Sequence, residues 1–301
     1  MNKAAIIINL KAGTVRDLDV EQLKSQISEK FKSKSFETEF YSLTDQKLPA
    51  LLEKIKAAGC SVAVAVGGDG TVNSVASMLC RQSIPMGLIP LGTFNLVARE
   101  FNIPTKVEDA VEAIANQHLA DVDMVEVNGK HFINNSFLGL YPAFVKERDK
   151  VGFKNKRQKY LAMIKAAKNM LVKFPNLTLS IQTDSEKLKV TTPSVYIGVG
   201  AFNFESVFTK TSRDAPGIMS VAIARKLGRL ENTIMLMREL AGFKNRKDVL
   251  KVIETKNLFI EGETAKSKVS MDGEIVDLEM PLSYKIIPKA FKICEGPKNP
   301  A

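Results

Sequence analysis

Residues 67–74 read Gly-Gly-Asp-Gly-Thr-Val-Asn-Ser, directly after the apolar run Ser61–Val66 and at the start of a segment with helical spacing, Thr71–Leu79. A buried strand, a glycine turn and a helix N-terminus in succession make an anion site. Glycines let the backbone approach a ligand, several N–H groups converge, and the helix dipole favours negative charge. Asp69 sits inside that turn and would repel a bare phosphate. It makes chemical sense if it holds a metal ion or takes a proton during phosphoryl transfer. A second stretch, Met86–Arg99, repeats the order of apolar strand, Gly92-Thr93 turn and helix. The competing reading of either stretch is a plain strand–helix connection, with glycines for turning and an Asp for capping. The length of the first motif and the presence of the second favour phosphate.

The elements around these turns alternate. An apolar strand at Ala4–Asn9 precedes a helix from about Asp19 that carries Val20, Leu23, Ile27 and Phe31 on one face. A strand at Phe36–Leu43 precedes a helix near Asp45–Ala58 with Leu48, Leu51, Leu52 and Ile55. After the two glycine units comes a short helix at Val107–Asn116. Such alternation predicts a doubly wound, mostly parallel α/β domain with helices on both faces. Ligands bind such sheets beyond the carboxyl ends of the strands, where both glycine turns fall. Near Asp121 the pattern changes. Met124–Ile133 reads as a hairpin turning at Asn128-Gly129. Short strands follow at Thr178–Gln182, Lys187–Thr191, Val195–Val199, Met219–Ala224, Leu258–Glu261, Lys268–Met271 and Ser283–Ile287. They predict an antiparallel β-sandwich, with helical inserts near Gln158–Val172 and Leu230–Gly242. The expected domains are residues 1–122 and 123–287.

Composition narrows the classes. The chain has 301 residues and an apolar fraction of 45%, enough for a globular core. Lys and Arg number 43 against 33 Asp and Glu, a net charge of +10, which favours anionic partners. The excess gathers between Lys146 and Lys173, with ten basic and two acidic residues. Tyr160, Ile164, Ala167 and Leu171 form one helical stripe there. It reads either as a core-facing helix with a solvated basic face or as a surface that docks on anionic lipid. Nucleic acid is disfavoured, because aromatic interleaving is sparse and no recognition motif is present. Cys60, Cys80 and Cys294 are odd in number and lie mostly among apolar residues, which points to buried thiols in a reducing compartment. The first apolar run is too short for a signal peptide or membrane span. A cytoplasmic protein, with peripheral contact to the inner membrane face, is expected. His118 and His131 stand alone and read as surface or turn residues. A sheet edge or the hairpin at Asn128 could mediate a homodimer.

The two glycine motifs, with Asn9-Leu-Lys-Ala-Gly13 before them and Met271-Asp-Gly-Glu274 near the C-terminus, resemble the diacylglycerol kinase catalytic domain family, which includes bacterial lipid kinases and sphingosine kinases. The likeness to NAD kinases and phosphofructokinases is more remote. It implies an ATP-dependent lipid kinase that passes the γ-phosphoryl group to a hydroxyl of diacylglycerol or a related lipid, with ATP and Mg²⁺ as cofactors. The phosphate cradle would be Asn9, Gly13, Gly67, Gly68, Gly70, Thr71, Asn73, Gly92, Thr93 and Asn95, with Thr44 as a further nucleotide contact. Asp69 would act through magnesium or as a base, Glu274 would be the general base, and Asp123 would join the network around the metal. Taken alone, Asp272-Gly273-Glu274 is a β-turn, and Asp123 is equally well a polar residue at a strand start. Asn135 and Asn203 lie near strand ends and are weaker candidates. The segment around Phe291–Cys294, within about 288–301, is expected to return to the first domain, as it does in the family.

The pattern also departs from the family. Ser74 and Leu96 stand where Glu and Asp are usual, and the Asn9 motif lacks its Pro and Ser. Pro216-Gly217 replaces the Asp-Gly pair that holds a structural magnesium in many bacterial members, so no magnesium is expected there. Gly92–Arg99 followed by Asn134–Tyr141 resembles a branch with unassigned bacterial members. Two rival functions follow: a kinase of the same fold acting on a soluble alcohol, and a nucleotide- or lipid-binding protein with weakened catalysis.

Overall fold

The computed structural model describes residues 2–9, 19–43, 48–93, 95–139, 176–202, 215–226 and 250–297. The chain divides into two compact units, Met1–Met124 with Ile287–Ala301, and Val125–Ile286.

Unit 1 alternates strands and helices: β1 (Asn2–Ile8), α1 (Val20–Ser33), β2 (Phe36–Ser42), α2 (Leu48–Ala57), β3 (Val62–Gly67), α3 (Asp69–Leu79), β4 (Met86–Pro90), α4 (Leu96–Glu100) and α5 (Val107–Asn116). The sheet order β2-β1-β3-β4 is parallel throughout. All six residues of β3 are buried, as a strand covered on both faces requires. Alternate residues face opposite sides. Ala4, Ile6, Ile8, Val62, Val64 and Val66 share one core cluster with Leu23, Ile27 and Phe31 of α1 and Ala110, Val111 and Ile114 of α5. Asp19 starts α1 by accepting the N–H groups of Glu21 and Gln22, both at 3.1 Å, the N-cap that an aspartate favours. A strand from the far end of the sequence, β16 (Leu282–Cys294), adds a further neighbour to β4, with Ile293 opposite Met86 in parallel.

Unit 2 is antiparallel. β5 (Leu119–Val127) and β6 (Lys130–Phe132) form a hairpin. Asn128 and Gly129 have φ of 47° and 78°, both positive as a type I′ turn requires. One sheet runs from β16 through β13 (Asn257–Gly262) and β8 (Leu177–Thr183) to β9 (Lys187–Thr192), with β5 and β6 on the other side of β16. The second has the order β12 (Leu250–Thr255), β11 (Met219–Ala224), β10 (Ser194–Val199), β7 (Asn135–Gly139), β14 (Lys266–Met271), β15 (Glu274–Glu279). Alternate residues of both sheets, among them Ile181, Val195, Ile197, Val221, Ile260 and Tyr284, meet in one core, which makes the unit a β-sandwich.

Three strands lie outside the sequence-based set. β7 opens on Asn135-Ser136, and β15 reads Glu-Ile-Val-Asp-Leu-Glu because it is an edge with one wet face. β12 is likewise an edge, with charged residues at Lys251 and Glu254. The helices expected near Gln158–Val172 and Leu230–Gly242, and the basic segment Lys146–Lys173, fall outside the described residues. Cys60 and Cys294 are buried free thiols, with Cys80 half-buried. Burial pushes the Cys294 thiol up to about 12. Among the described residues no helix is long and apolar enough to cross a membrane.

Candidate active site

Both glycine turns stand at the carboxyl end of the unit 1 sheet, where β3 passes into α3 and β4 into α4. Gly67 closes β3 with φ of 157°, and a Cβ there would lie 2.5 Å from Thr71 Oγ1. Gly68 is the extended N-cap of α3 and offers no side chain to cap it. The first N–H groups of a helix have no partner within it, so this end is available to an anion. The helix begins at Asp69, not at Thr71 as the sequence suggests, because a glycine N-cap leaves Asp69 free to take the first helical position. Thr71 is only 2% exposed, and its hydroxyl has no hydrogen-bond partner among the described residues. An unsatisfied buried hydroxyl at an uncapped helix N-terminus fits a phosphate oxygen as its partner.

The second turn is folded against the first. Leu91 N–H donates to the Gly67 carbonyl at 2.9 Å. A Cβ on Gly92 would lie 2.6 Å from the Gly68 Cα, so the two backbones touch at a point where Gly92 has no room for a side chain. Asn95 is left-handed, with φ of 49°. Its Oδ1 accepts the Gly92 N–H at 2.9 Å and its Nδ2 donates to the Gly92 carbonyl at 3.0 Å. Asp69 crosses between the turns: Oδ2 accepts the Asn95 N–H at 3.1 Å and Oδ1 accepts the Leu96 N–H at 2.8 Å. The aspartate that looked misplaced beside phosphate thus caps α4 from another helix. That task leaves no signature in local sequence.

Asn9 and Asn73 are half-buried and Thr93 is exposed. Gly13, Thr44 and Asn203 lie outside the described residues. Ser74 bonds back to the Gly70 carbonyl at 3.0 Å, within its own helix. Asp123 accepts the Lys289 N–H at 2.7 Å, which ties β5 to β16 at a residue with φ of 50°. Neither Asp69 nor Asp123 belongs to a group of three or more His, Cys, Asp or Glu side chains able to hold a metal among the described residues. Both Asp69 oxygens already accept backbone N–H groups. These residues therefore do not fit a magnesium site built from protein ligands, and no step is assigned to the metal here. A cleft of about 650 Å³ beside α5 is lined by Asp109, Glu112, His118 and Glu295. Its acidic rim has the wrong sign for phosphate, and the phosphate candidates are not among its lining residues.

In unit 2, Asp272 and Gly273 form the two-residue loop between β14 and β15, with φ of 46° and 89°. The Asp272 carboxylate accepts the N–H groups of Ile133, Asn134 and Asn135 at 2.8, 2.9 and 3.0 Å. The turn expected at Asp272-Gly273 is legible from the Asp-Gly dipeptide, but the three donors to Asp272 are not. Glu274 begins β15, opposite Met271, and is exposed. Its side chain makes no hydrogen bond or ion pair among the described residues.

Comparison with known proteins adds a likeness to a family over the first part of the chain. Residues 3–127 match the model of the diacylglycerol kinase catalytic domain. The chain is 25% identical over 240 residues to "Putative lipid kinase SH2167" of Staphylococcus haemolyticus, covering 78% of this chain and 76% of that one. It is 28% identical over 312 residues to the uncharacterized protein sll0036 of Synechocystis, covering 98% and 70%. Among solved structures, a diacylglycerol kinase from Bacillus anthracis superposes with a TM-score of 0.72 at 22% identity, covering 98% of each chain.

Proposed function

We infer, on the premise that residues 3–127 belong to the diacylglycerol kinase catalytic domain family, that the protein transfers the γ-phosphoryl group of ATP to a hydroxyl of diacylglycerol or a related lipid. The observation that carries this reading is the uncapped N-terminus of α3, with glycines on its approach and the buried, unpartnered Thr71 hydroxyl inside it. The N–H groups of the first turn of α3 and the Thr71 hydroxyl bind phosphate oxygens. Asp69 keeps the second glycine turn in register with the first, and so acts by positioning donors. Glu274 is exposed, and its side chain is free to accept a proton. It takes the hydroxyl proton of the acceptor as that oxygen bonds to the γ-phosphorus and the bond to the β–γ bridging oxygen breaks, releasing ADP.

A lipid acceptor lives in a bilayer, and the net charge of +10 favours an anionic one. The protein would meet it peripherally. Incubation with γ-labelled ATP, Mg²⁺ and a total lipid extract is the test. Label is expected in a lipid, and Glu274→Gln should lower turnover by ~10²–10⁴-fold while nucleotide still binds. Nucleotide binding without transfer to any lipid would refute the reading and leave a binding protein. Transfer only to a soluble alcohol would move the acceptor out of the membrane.

A further inference from the structure

Glu274 raises a question of placement, because no bond to its own side chain among the described residues fixes it. Its position is set by backbone, and that backbone is the Asp272-Gly273 loop. The bend between β6 and β7 points three successive N–H groups, those of Ile133, Asn134 and Asn135, at one carboxylate. Consecutive N–H groups that converge in this way form a nest for an anion, and here the chain supplies the anion itself. Oδ1 of Asp272 takes two of the donors and Oδ2 the third. In return the Asp272 N–H donates to the Asn135 carbonyl at 2.9 Å. The loop is thereby fastened on both sides. The left-handed φ of 46° at Asp272 is the one a two-residue type I′ loop requires at this place, and one that Asp tolerates.

We propose that Asp272 is a positioning residue for phosphoryl transfer: its carboxylate fills the nest at residues 133–135 and so fixes the backbone from which Glu274 is presented to the acceptor hydroxyl. This rests on Glu274 being the proton acceptor. The three N–H groups on its oxygens engage Asp272 as an acceptor of backbone hydrogen bonds.

The test compares Asp272→Asn, Glu274→Gln and the double variant with the wild-type protein, reading turnover and nucleotide KM from labelled ATP and the lipid acceptor. Asparagine keeps the shape but turns one acceptor oxygen into a donor that faces an N–H. Asp272→Asn should lower kcat by about 10²-fold, the cost of a small misplacement of a reacting group, with nucleotide KM changed by less than about twofold. The double variant should be no slower than Glu274→Gln alone, because placing an absent acceptor has no effect. Amide exchange at residues 133–135 should quicken in Asp272→Asn while the core of the sandwich keeps its protection. Gly273→Ala checks the same loop if Asp272→Asn folds poorly. A Cβ there meets no atom within 4 Å, so it strains only the backbone, and it should lower kcat without adding to Glu274→Gln. Wild-type turnover in Asp272→Asn, beside an impaired Glu274→Gln, would overturn the proposal alone. So would a double variant slower than Glu274→Gln by the full Asp272→Asn factor. A Glu274→Gln protein as active as wild type would instead remove the proton acceptor, and the proposal with it.

Discussion

Thr71 offers a way to separate binding from stability. Its buried hydroxyl has no partner among the described residues, so Thr71→Val removes a polar group left unsatisfied in the folded state, at little change in shape. Thermal stability should stay level or rise slightly, whereas nucleotide affinity should fall by about tenfold, roughly the worth of one hydrogen bond to a charged group. Calorimetric titration and a melting curve on the same preparation read both; unchanged affinity would place the phosphates elsewhere. Asp69 predicts the opposite pairing. Asparagine there supplies one acceptor where the N–H groups of Asn95 and Leu96 need two, so Asp69→Asn should cost ~1–3 kcal/mol of stability as well as turnover. A melting temperature equal to wild type would mean that this bridge holds nothing. Both residues were legible in the sequence as candidates. Their division of labour was not, because it depends on Asn95 turning left-handed at the next strand end and bringing its N–H to Asp69.

At the level of elements, the glycine turns work as a pair. A methyl group at Gly92 would have to share space with the Gly68 backbone at 2.6 Å and the Asn95 carbonyl oxygen of the side chain, and backbone cannot yield as a flexible side chain can. Gly92→Ala should therefore separate the turns and abolish measurable nucleotide binding, while the cores of both units stay folded by circular dichroism. Asp184 makes a second kind of junction in unit 2, after β8. It accepts hydrogen bonds from Asn257, Lys256 and Thr255, which together hold its carboxyl down at about 2. A lowered folded-state value means that the stabilisation is present at neutral pH and lost as pH falls from about 4 through 2. The group is exposed, so the effect is ~1 kcal/mol or less. Acid titration of Asp184→Asn against wild type should show a smaller loss of stability across that window. Most of unit 1 was legible from apolar periodicity, since β1, β3 and β4 are covered strands and α1, α2 and α5 each bury one face. In unit 2 the missed strands were the edges β12 and β15 and the central β7: an edge such as β15 keeps a polar face that local pattern cannot tell from a loop, and β7 opens on the polar pair Asn135-Ser136.

The chain leaves unit 1 at Met124 and re-enters it at Ile287. The returning stretch places Ala290, Phe291, Ile293 and Cys294 in the core, each no more than 2% exposed, and Arg81 N–H bonds to the Ala290 carbonyl. At ~1.5–3 kcal/mol per large buried apolar side chain, removing residues 287–301 should cost more than a typical domain can spare. The truncated protein should be insoluble or rapidly proteolysed between residues 1 and 124, while loss of 298–301 alone should be tolerated. Periodicity could not reveal this, because β16 is one uninterrupted strand of 13 residues and serves both units without a break in pattern. Its return has a consequence for how the molecule is made. A ribosome releases the nucleotide-binding segment first, yet β4 must wait for more than 190 further residues before Ile293 arrives beside Met86. Until then the nascent sheet shows an open edge, the kind that pairs with other chains. Aggregation during synthesis should therefore depend on how quickly the intervening sandwich is completed, and a slow translation pause inside residues 125–286 should harm yield more than one placed before residue 86.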